Sequence, residues 1–187
     1  MKRSLHPILI ALLTLVAFNL RVIRLDFQPL WWDEGYSVFF ATRDLTTMLE
    51  RTAIDIHPPL YYALMQVWIL IAGQTDAALR MMSVLIGIAT IPLIYLLALK
   101  LFNRTRIAFI VALLLAISPL HIYYSQELRM YGLVTFLTLL STLLLAQLLT
   151  MPVGKPKTAL VVFIYIGVST AALYTQYYAA FGIVFQV

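Results

Sequence analysis

The chain has no cysteine and very little charge. Without a thiol anywhere in its 187 residues, disulfide staples and thiolate catalysis are excluded. Charged residues make up 11% of the sequence, against about 25% in an ordinary soluble domain. The bases that produce the net charge of +5 stand as short groups between apolar runs. No helix or stripe is dense enough in Lys and Arg to follow a nucleic-acid backbone, so nucleic acid is excluded as a partner.

Apolar sequence fills the space that charge leaves. Hydrophobic residues make up 63% of the chain and its mean hydropathy is +0.93. Residues 4–20, 81–99, 107–126, 130–154 and 158–187 carry no Lys, Arg, Asp or Glu, and a further such run covers 56–75. A bilayer crossing needs roughly 20 mostly apolar residues. A soluble protein of this size has room for one such helix at its centre, so the expected class is all-α, a polytopic transmembrane protein with one transmembrane domain over residues 1–187. Crossings are expected at about 5–25, 77–99, 105–123, 130–150 and 158–175, followed by the start of another. Lys2 and Arg3 ahead of an apolar run resemble a signal peptide. Arg21, Arg24 and Asp26 follow that run where a small-residue cleavage site would belong, so it reads as an uncleaved first helix. The sequence stops at Val187 inside an apolar run, which is read as the end of an N-terminal portion of a longer protein.

Charge sets the expected orientation. Lys100, Arg104 and Arg106 form one loop without acids, and Lys155 and Lys157 form another. By the positive-inside rule both are cytoplasmic, and Lys2 and Arg3 agree, so the N-terminus is cytoplasmic. All the acids then fall outside, with most of them in an extracytoplasmic loop over 26–76. Arg21, Arg24, Arg43, Arg51 and Arg80 also land outside, so the fit is good rather than complete. Short helices are expected near 35–40 and after a cap at Asp44 or Thr46. Between the outer segment ending at Ile56 and the inner loop at Lys100 the chain must cross an odd number of times, yet two apolar segments lie there. The simplest solution leaves 57–73 as an interfacial helix that does not cross.

Three polar groups lie on that outer face. Trp31-Trp32-Asp33-Glu34-Gly35-Tyr36 follows the first helix, where tryptophans anchor at headgroup level. A carboxylate there, partly desolvated and next to another, suits a general base; a solvated loop with aromatic anchors is the alternative. His57-Pro58-Pro59-Leu60-Tyr61-Tyr62 holds a histidine at the interface, fit to bind a phosphate or hydroxyl, or structural. In His121-Ile122-Tyr123-Tyr124-Ser125-Gln126-Glu127-Leu128-Arg129-Met130-Tyr131, Glu127 and Arg129 sit between two apolar runs, where ionisable groups are costly. Arg129 offers a planar fork for a phosphate, or pairs structurally with a carboxylate. Asn103-Arg104-Thr105 matches a glycosylation sequon in a loop placed inside, where it reads as chance. Pro92 and Pro119 are candidate kinks. Tyr174, Gln176, Tyr177 and Tyr178 line the pocket or belong to an aromatic belt.

These residues, in this order, resemble the N-terminal part of a polytopic glycosyltransferase of the GT-C superfamily. The likeness is to glycosyltransferase family 39, the protein O-mannosyltransferases and the lipid A aminoarabinose transferases. It rests on Trp32-Asp33-Glu34, on the His57 to Tyr62 motif, and on Ser118-Pro119 with Tyr124 to Tyr131. It implies a GT-C-type N-terminal module that transfers a hexose-type, for example mannosyl, sugar with inversion from a polyprenyl-phosphate donor to an acceptor hydroxyl. The reaction would occur on the extracytoplasmic face of a membrane, expected to be a bacterial plasma membrane. By the resemblance Asp33 is the catalytic base, and Glu34 orients it or binds acceptor or metal. His57 and Arg129 bind the donor phosphate, with Glu127, Tyr61, Tyr131 and Gln176 in support. The family's histidine in the Tyr-Thr-His-Tyr patch is Gln176 here. A divalent cation is left open, with Asp33 and Glu34 as ligands if one is present. The expected partners are the lipid-linked donor, membrane lipid, and an acceptor that is a lipid, glycan or protein. Relatives are usually longer, so the 187-residue piece is not expected to suffice for activity alone. Two other readings are a transporter or flippase of lipid-linked sugars, for which no convincing internal repeat is found, and a non-catalytic membrane scaffold.

Overall fold

The computed structural model describes residues 5–186. Among them there are ten helices and no strand: α1 (Leu5–Val22), α2 (Trp32–Ala41), α3 (Leu45–Ala53), α4 (Leu60–Ala72), α5 (Asp76–Phe102), α6 (Thr105–Ala116), α7 (Pro119–Gln126), α8 (Tyr131–Leu148), α9 (Pro156–Thr175) and α10 (Ala179–Gln186). The protein is a largely apolar helical bundle. Three of its helices, α5, α8 and α9, are long and apolar enough to cross a membrane, and the bent pair α6 and α7 brings the number to four if the two form one broken span. α1 and α4 are shorter apolar helices.

Helix α5 is the axis of the bundle and packs against α1, α4, α6, α7 and α8. The Thr75 hydroxyl caps its start by accepting from the Ala78 N–H at 3.3 Å, and Asp76 in the first turn complements the helix dipole. It ends at Asn103 with φ 51°, a left-handed cap that asparagine tolerates better than most residues. On α6, Ala108, Ala112 and Ala116 recur every fourth residue and are fully buried among Leu13, Ala17, Ile91 and Tyr95. Such a stripe of methyl-sized side chains lets three helices approach closely where no hydrophobic drive separates protein from lipid.

The apolar run over 107–126 is interrupted. It forms α6 and α7 with a bend of 55° between them. Pro119 is the cause, since its ring forbids the helical continuation of the preceding turn and it has no N–H to give. Ser118 caps the new helix through its hydroxyl, which accepts from the His121 N–H at 3.4 Å. The short helices foreseen in the outer segment are α2 and α3. At α3 the Asp44 carboxylate accepts from the Thr47 N–H at 3.0 Å, and those hydrogen bonds hold its pKa below the usual range.

Helix α4 runs 13 residues, about 20 Å at 1.5 Å per residue. Its Tyr61 hydroxyl meets Ser83 Oγ at 3.4 Å, and its Trp68 indole donates to the Ala78 carbonyl at 2.8 Å. Both contacts therefore lie within 76–83, the opening stretch of α5. Gln66 donates to the Arg43 carbonyl at 2.6 Å and ties α4 to the α2–α3 connection. At the opposite end of α5, the Lys100 ammonium donates to Thr150 Oγ1 at 2.7 Å, so the two basic connections share one end of the bundle.

Candidate functional site

The site forms where the start of α2, the approach to α4, the start of α5 and the α7–α8 connection converge. Its hub is Glu34, which is 1% exposed. One carboxylate oxygen accepts from Arg80 Nε at 2.8 Å and from the Leu128 N–H at 2.9 Å. The other accepts from Arg80 Nη2 at 2.6 Å and from the Trp31 N–H at 3.3 Å, which closes the start of α2. Arg80 spends its remaining donors on the carbonyls of Leu25, Gln28 and Pro29. This bidentate pair therefore fastens α2 and the segment after α1 to α5, and Leu128 brings the α7–α8 connection to the same point. Leaving one ion of a buried pair alone costs about 3–5 kcal/mol.

Asp33, next to this hub, is half-exposed, and its carboxylate has no hydrogen bond or salt bridge among the described residues. Its backbone carbonyl accepts from Arg129 Nη1 at 3.1 Å. Arg129 is 3% exposed; its Nη2 donates to His57 Nε2 at 3.2 Å. His57 Nδ1 in turn faces Asp55 Oδ2 at 3.2 Å. Because Nε2 accepts from a guanidinium, the proton of His57 belongs on Nδ1, toward Asp55. Arg129 Nε is buried without a partner, and so is the Tyr62 hydroxyl. Two such orphans in one interior are unusual. Burial pushes the phenols of Tyr61 and Tyr62 up, so both keep their protons. The guanidinium of Arg129 stands 5.9 Å from the centroid of the Tyr131 ring.

Glu127, 7% exposed, lines a cleft of about 270 Å³ with Arg24, Phe27, Gln28, Trp31 and Tyr123. Its own burial, then the negative charges of Glu34 and Asp33, hold its carboxyl above the usual range against the pull of Tyr123 and Arg129. Glu127 and Arg129 form no ion pair with each other.

The structure thus gathers Asp33, Glu34, His57, Glu127, Arg129, Tyr61 and Tyr131 at one end of the bundle. Gln176 terminates α9 and borders a separate groove with Thr135, Thr138, Tyr178 and Gly182, beside the first turns of α8. No set of three or more His, Asp or Glu side chains suited to a metal occurs among the described residues. Both oxygens of Glu34 are engaged by protein donors, so Asp33 and Glu34 do not form a ready pair of ligands for a divalent cation.

Two features were missed by sequence reasoning. Arg80 reads in the sequence only as one base on the outer side, yet an arginine in the first turns of a long apolar helix signals a buried partner. The second is a buried polar node beneath α7. Arg21, fully buried, donates to the Ala17 and Ala116 carbonyls at 2.9 and 3.1 Å, to Ser125 Oγ at 3.2 Å and to His121 Nδ1 at 2.7 Å. His121 Nε2 then meets Thr90 Oγ1 at 2.9 Å. The Ala116 carbonyl is one that the break at Pro119 deprives of its helical donor.

The membrane-spanning helices and one comparison together support a GT-C-type glycosyltransferase acting at a membrane face. Residues 56–187, well over half of the chain, match the model of the dolichyl-phosphate-mannose-protein mannosyltransferase family, and the chain belongs to that family. The match includes His57, Tyr61, Glu127, Arg129 and Tyr131 and begins after Asp33 and Glu34. Comparisons with curated proteins and with solved structures return no match.

Proposed function

We propose that the chain carries the reaction centre of an inverting glycosyltransferase that moves a hexose-type sugar from a polyprenyl phosphate to an acceptor hydroxyl at the extracytoplasmic face. The observation that carries this reading is Arg129. It is buried, it is oriented by the Asp33 carbonyl and by His57, and it retains an unpartnered Nε donor. A guanidinium held in this way beside a free carboxylate suits a reaction in which a phosphate leaves as a hydroxyl attacks.

In the proposed step, the Asp33 carboxylate takes the proton of the acceptor hydroxyl. The hydroxyl oxygen attacks the anomeric carbon from the face opposite the phosphate. The anomeric carbon–oxygen bond to phosphate breaks, and the phosphate leaves with the bonding pair toward Arg129, so the configuration inverts. Positive charge placed where negative charge develops is the largest single contribution in many enzymes, and a positioned general base adds about 10²–10⁴-fold. His57 acts through Arg129, fixing its guanidinium while Asp55 holds the imidazole. Glu34 positions Asp33 by anchoring the first turn of α2 to Arg80. No step is routed through a metal.

The outer placement of the site is supported by the basic connections at the other end of α5. The two contacts of α4 near the start of α5 support its lying at the outer interface. The lipid tail of the donor would run along the exposed apolar surface of the bundle.

The test is an arginine series in the complete gene product. Arg129→Ala should weaken binding of undecaprenyl phosphate at least tenfold and depress sugar transfer, with Arg129→Lys in between because a point charge lacks the fork. Unaltered phosphate binding in Arg129→Ala would overturn the reading.

A further inference from the structure

The end of α5 away from Glu34 and Arg80 is basic and carries no counter-charge. Lys100, Arg104 and Arg106 stand around the α5–α6 connection, and Lys155 and Lys157 around the start of α9. All 8 acids of the chain lie in 26–76 or at Glu127, and none of these bases makes a salt bridge among the described residues. Between the bases the surface is apolar, with Phe102 and Leu149 exposed. Cations interleaved with bare apolar side chains fit the layer where acyl chains meet headgroups. A groove of about 430 Å³ opens here between α5 and α8, lined by Lys100, Asn103 and Gln147 and by Leu96, Leu99 and Leu143. Leu96 and Leu143 precede Lys100 and Gln147 by four residues, on helices that both run toward this end. The two leucines therefore lie one turn deeper, about 6 Å. Lys100 spends one of its three donors on Thr150 Oγ1, at 2.7 Å, which draws the ammonium toward the end of α8.

We propose that this groove holds one anionic phospholipid, its phosphate on Lys100 and its acyl chains over Leu96 and Leu143. The site lies at the other end of the bundle from Arg129 and goes beyond the transferase reading without depending on it. Charge and shape together select the ligand. A soluble anion meets the ammonium but leaves the leucine level bare. A zwitterionic lipid brings its own cation to an end that already holds uncompensated positive charge. A lipid of net negative charge satisfies both levels. The amides of Asn103 and Gln147 supply further donors for phosphate or glycerol oxygens. Arg104, Arg106, Lys155 and Lys157 raise the local potential and concentrate anionic lipid around this end, and the groove fixes one molecule of it. Basic pockets between transmembrane helices hold such headgroups in other membrane proteins.

The experiment is native mass spectrometry of the complete gene product, delipidated in detergent and titrated with dioleoyl phosphatidylglycerol, dioleoyl phosphatidylcholine and, separately, undecaprenyl phosphate. Wild type should take up one phosphatidylglycerol in preference to phosphatidylcholine. Lys100→Ala should weaken phosphatidylglycerol about fivefold, the effect of one basic residue at an anionic lipid surface, and lose the preference. Lys100→Arg should keep it, so that the loss reads the charge and not the fold. Leu96→Trp, at an exposed position on the groove, should weaken phosphatidylglycerol by filling the space for its chains. Lys155→Ala removes the same charge outside the groove and should change the affinity far less. Equal affinity for the two phospholipids would overturn the proposal. Equal losses in Lys100→Ala and Lys155→Ala would also overturn it, in favour of diffuse attraction by the whole basic end. Displacement of bound phosphatidylglycerol by inorganic phosphate would show an anion site without a lipid, which again overturns it. Undecaprenyl phosphate should bind Lys100→Ala as it binds wild type; a shared loss would give the groove to the polyprenyl lipid and overturn the phospholipid assignment. The readout is bound lipid and not sugar transfer, so failure of the transferase reading leaves this site standing.

Discussion

At the scale of single residues, two adjacent carboxylates have opposite fates. Glu34 is enclosed by Arg80 and two backbone N–H groups, whereas Asp33 gives up only its carbonyl and keeps its carboxylate free. The Asp-Glu pair is visible in the sequence as a candidate site. Which member is free is not, because the answer depends on Arg80, 46 positions further along the chain. Gln176, also singled out in the sequence, borders a separate groove between the first turns of α8 and α10. Glu127 allows a test by pH. Its carboxyl is held above the unfolded value of 4.5 by burial and by Glu34 and Asp33, while Tyr123 and Arg129 oppose. Arg24 and Arg80 share its cleft. Between the two pKa values the folded state binds the extra proton, so this residue stabilises most below pH 4.5 and that contribution is lost as pH rises through the folded pKa. Thermal melts across pH should show wild type losing stability relative to Glu127→Gln on going from acid to neutral. A relative gain would contradict the assignment.

At the scale of elements, α7 is what delivers the site. His121 and Ser125 fasten it to Arg21, and Gln126 donates to the Arg21 and Ile23 carbonyls at 3.0 Å each, gripping the end of α1. Directly after these anchors come Leu128, bound to Glu34, and Arg129, bound to Asp33. The close approach of α7 to α5 depends on Gly87, where a Cβ would overlap Ser125 Oγ. Gly87→Ala should therefore cost about 1–3 kcal/mol through overpacking and weaken phosphate binding by displacing Arg129. Ser125→Gly in the same chain should recover part of that loss, so the pair is non-additive. Strict additivity in melts and in undecaprenyl phosphate binding would show that this contact does not set α7. Pro119 was recognisable as a candidate kink. The apolar run around it gave no hint that a buried arginine from α1 would satisfy the carbonyl exposed by the break. Charges scattered among apolar segments announce that partners exist, and only the packing of α1, α5, α6 and α7 says which.

At the scale of the whole molecule, the long apolar runs were the plainest information in the sequence, and α5, α8 and α9 lie within or close to the runs that predict them. The exception is the run over 107–126, divided by its proline into α6 and α7. Helix α4, 13 residues long, packs along 76–83 at the start of α5. The bundle gathers its basic connections at one end and, at the other, the buried guanidiniums and carboxylates of Arg80, Glu34 and Arg129. That separation gives the proposed chemistry a side.

The most direct measurement of the central claim is single-turnover sugar transfer in proteoliposomes by the complete gene product, comparing wild type with Asp33→Asn at saturating polyprenyl-phosphate sugar. The account predicts that Asp33→Asn binds the donor as wild type does and transfers at least about 10²-fold more slowly, with an inverted anomeric centre in the wild-type product. Transfer by Asp33→Asn at the wild-type rate, or retention of configuration in the product, would contradict it.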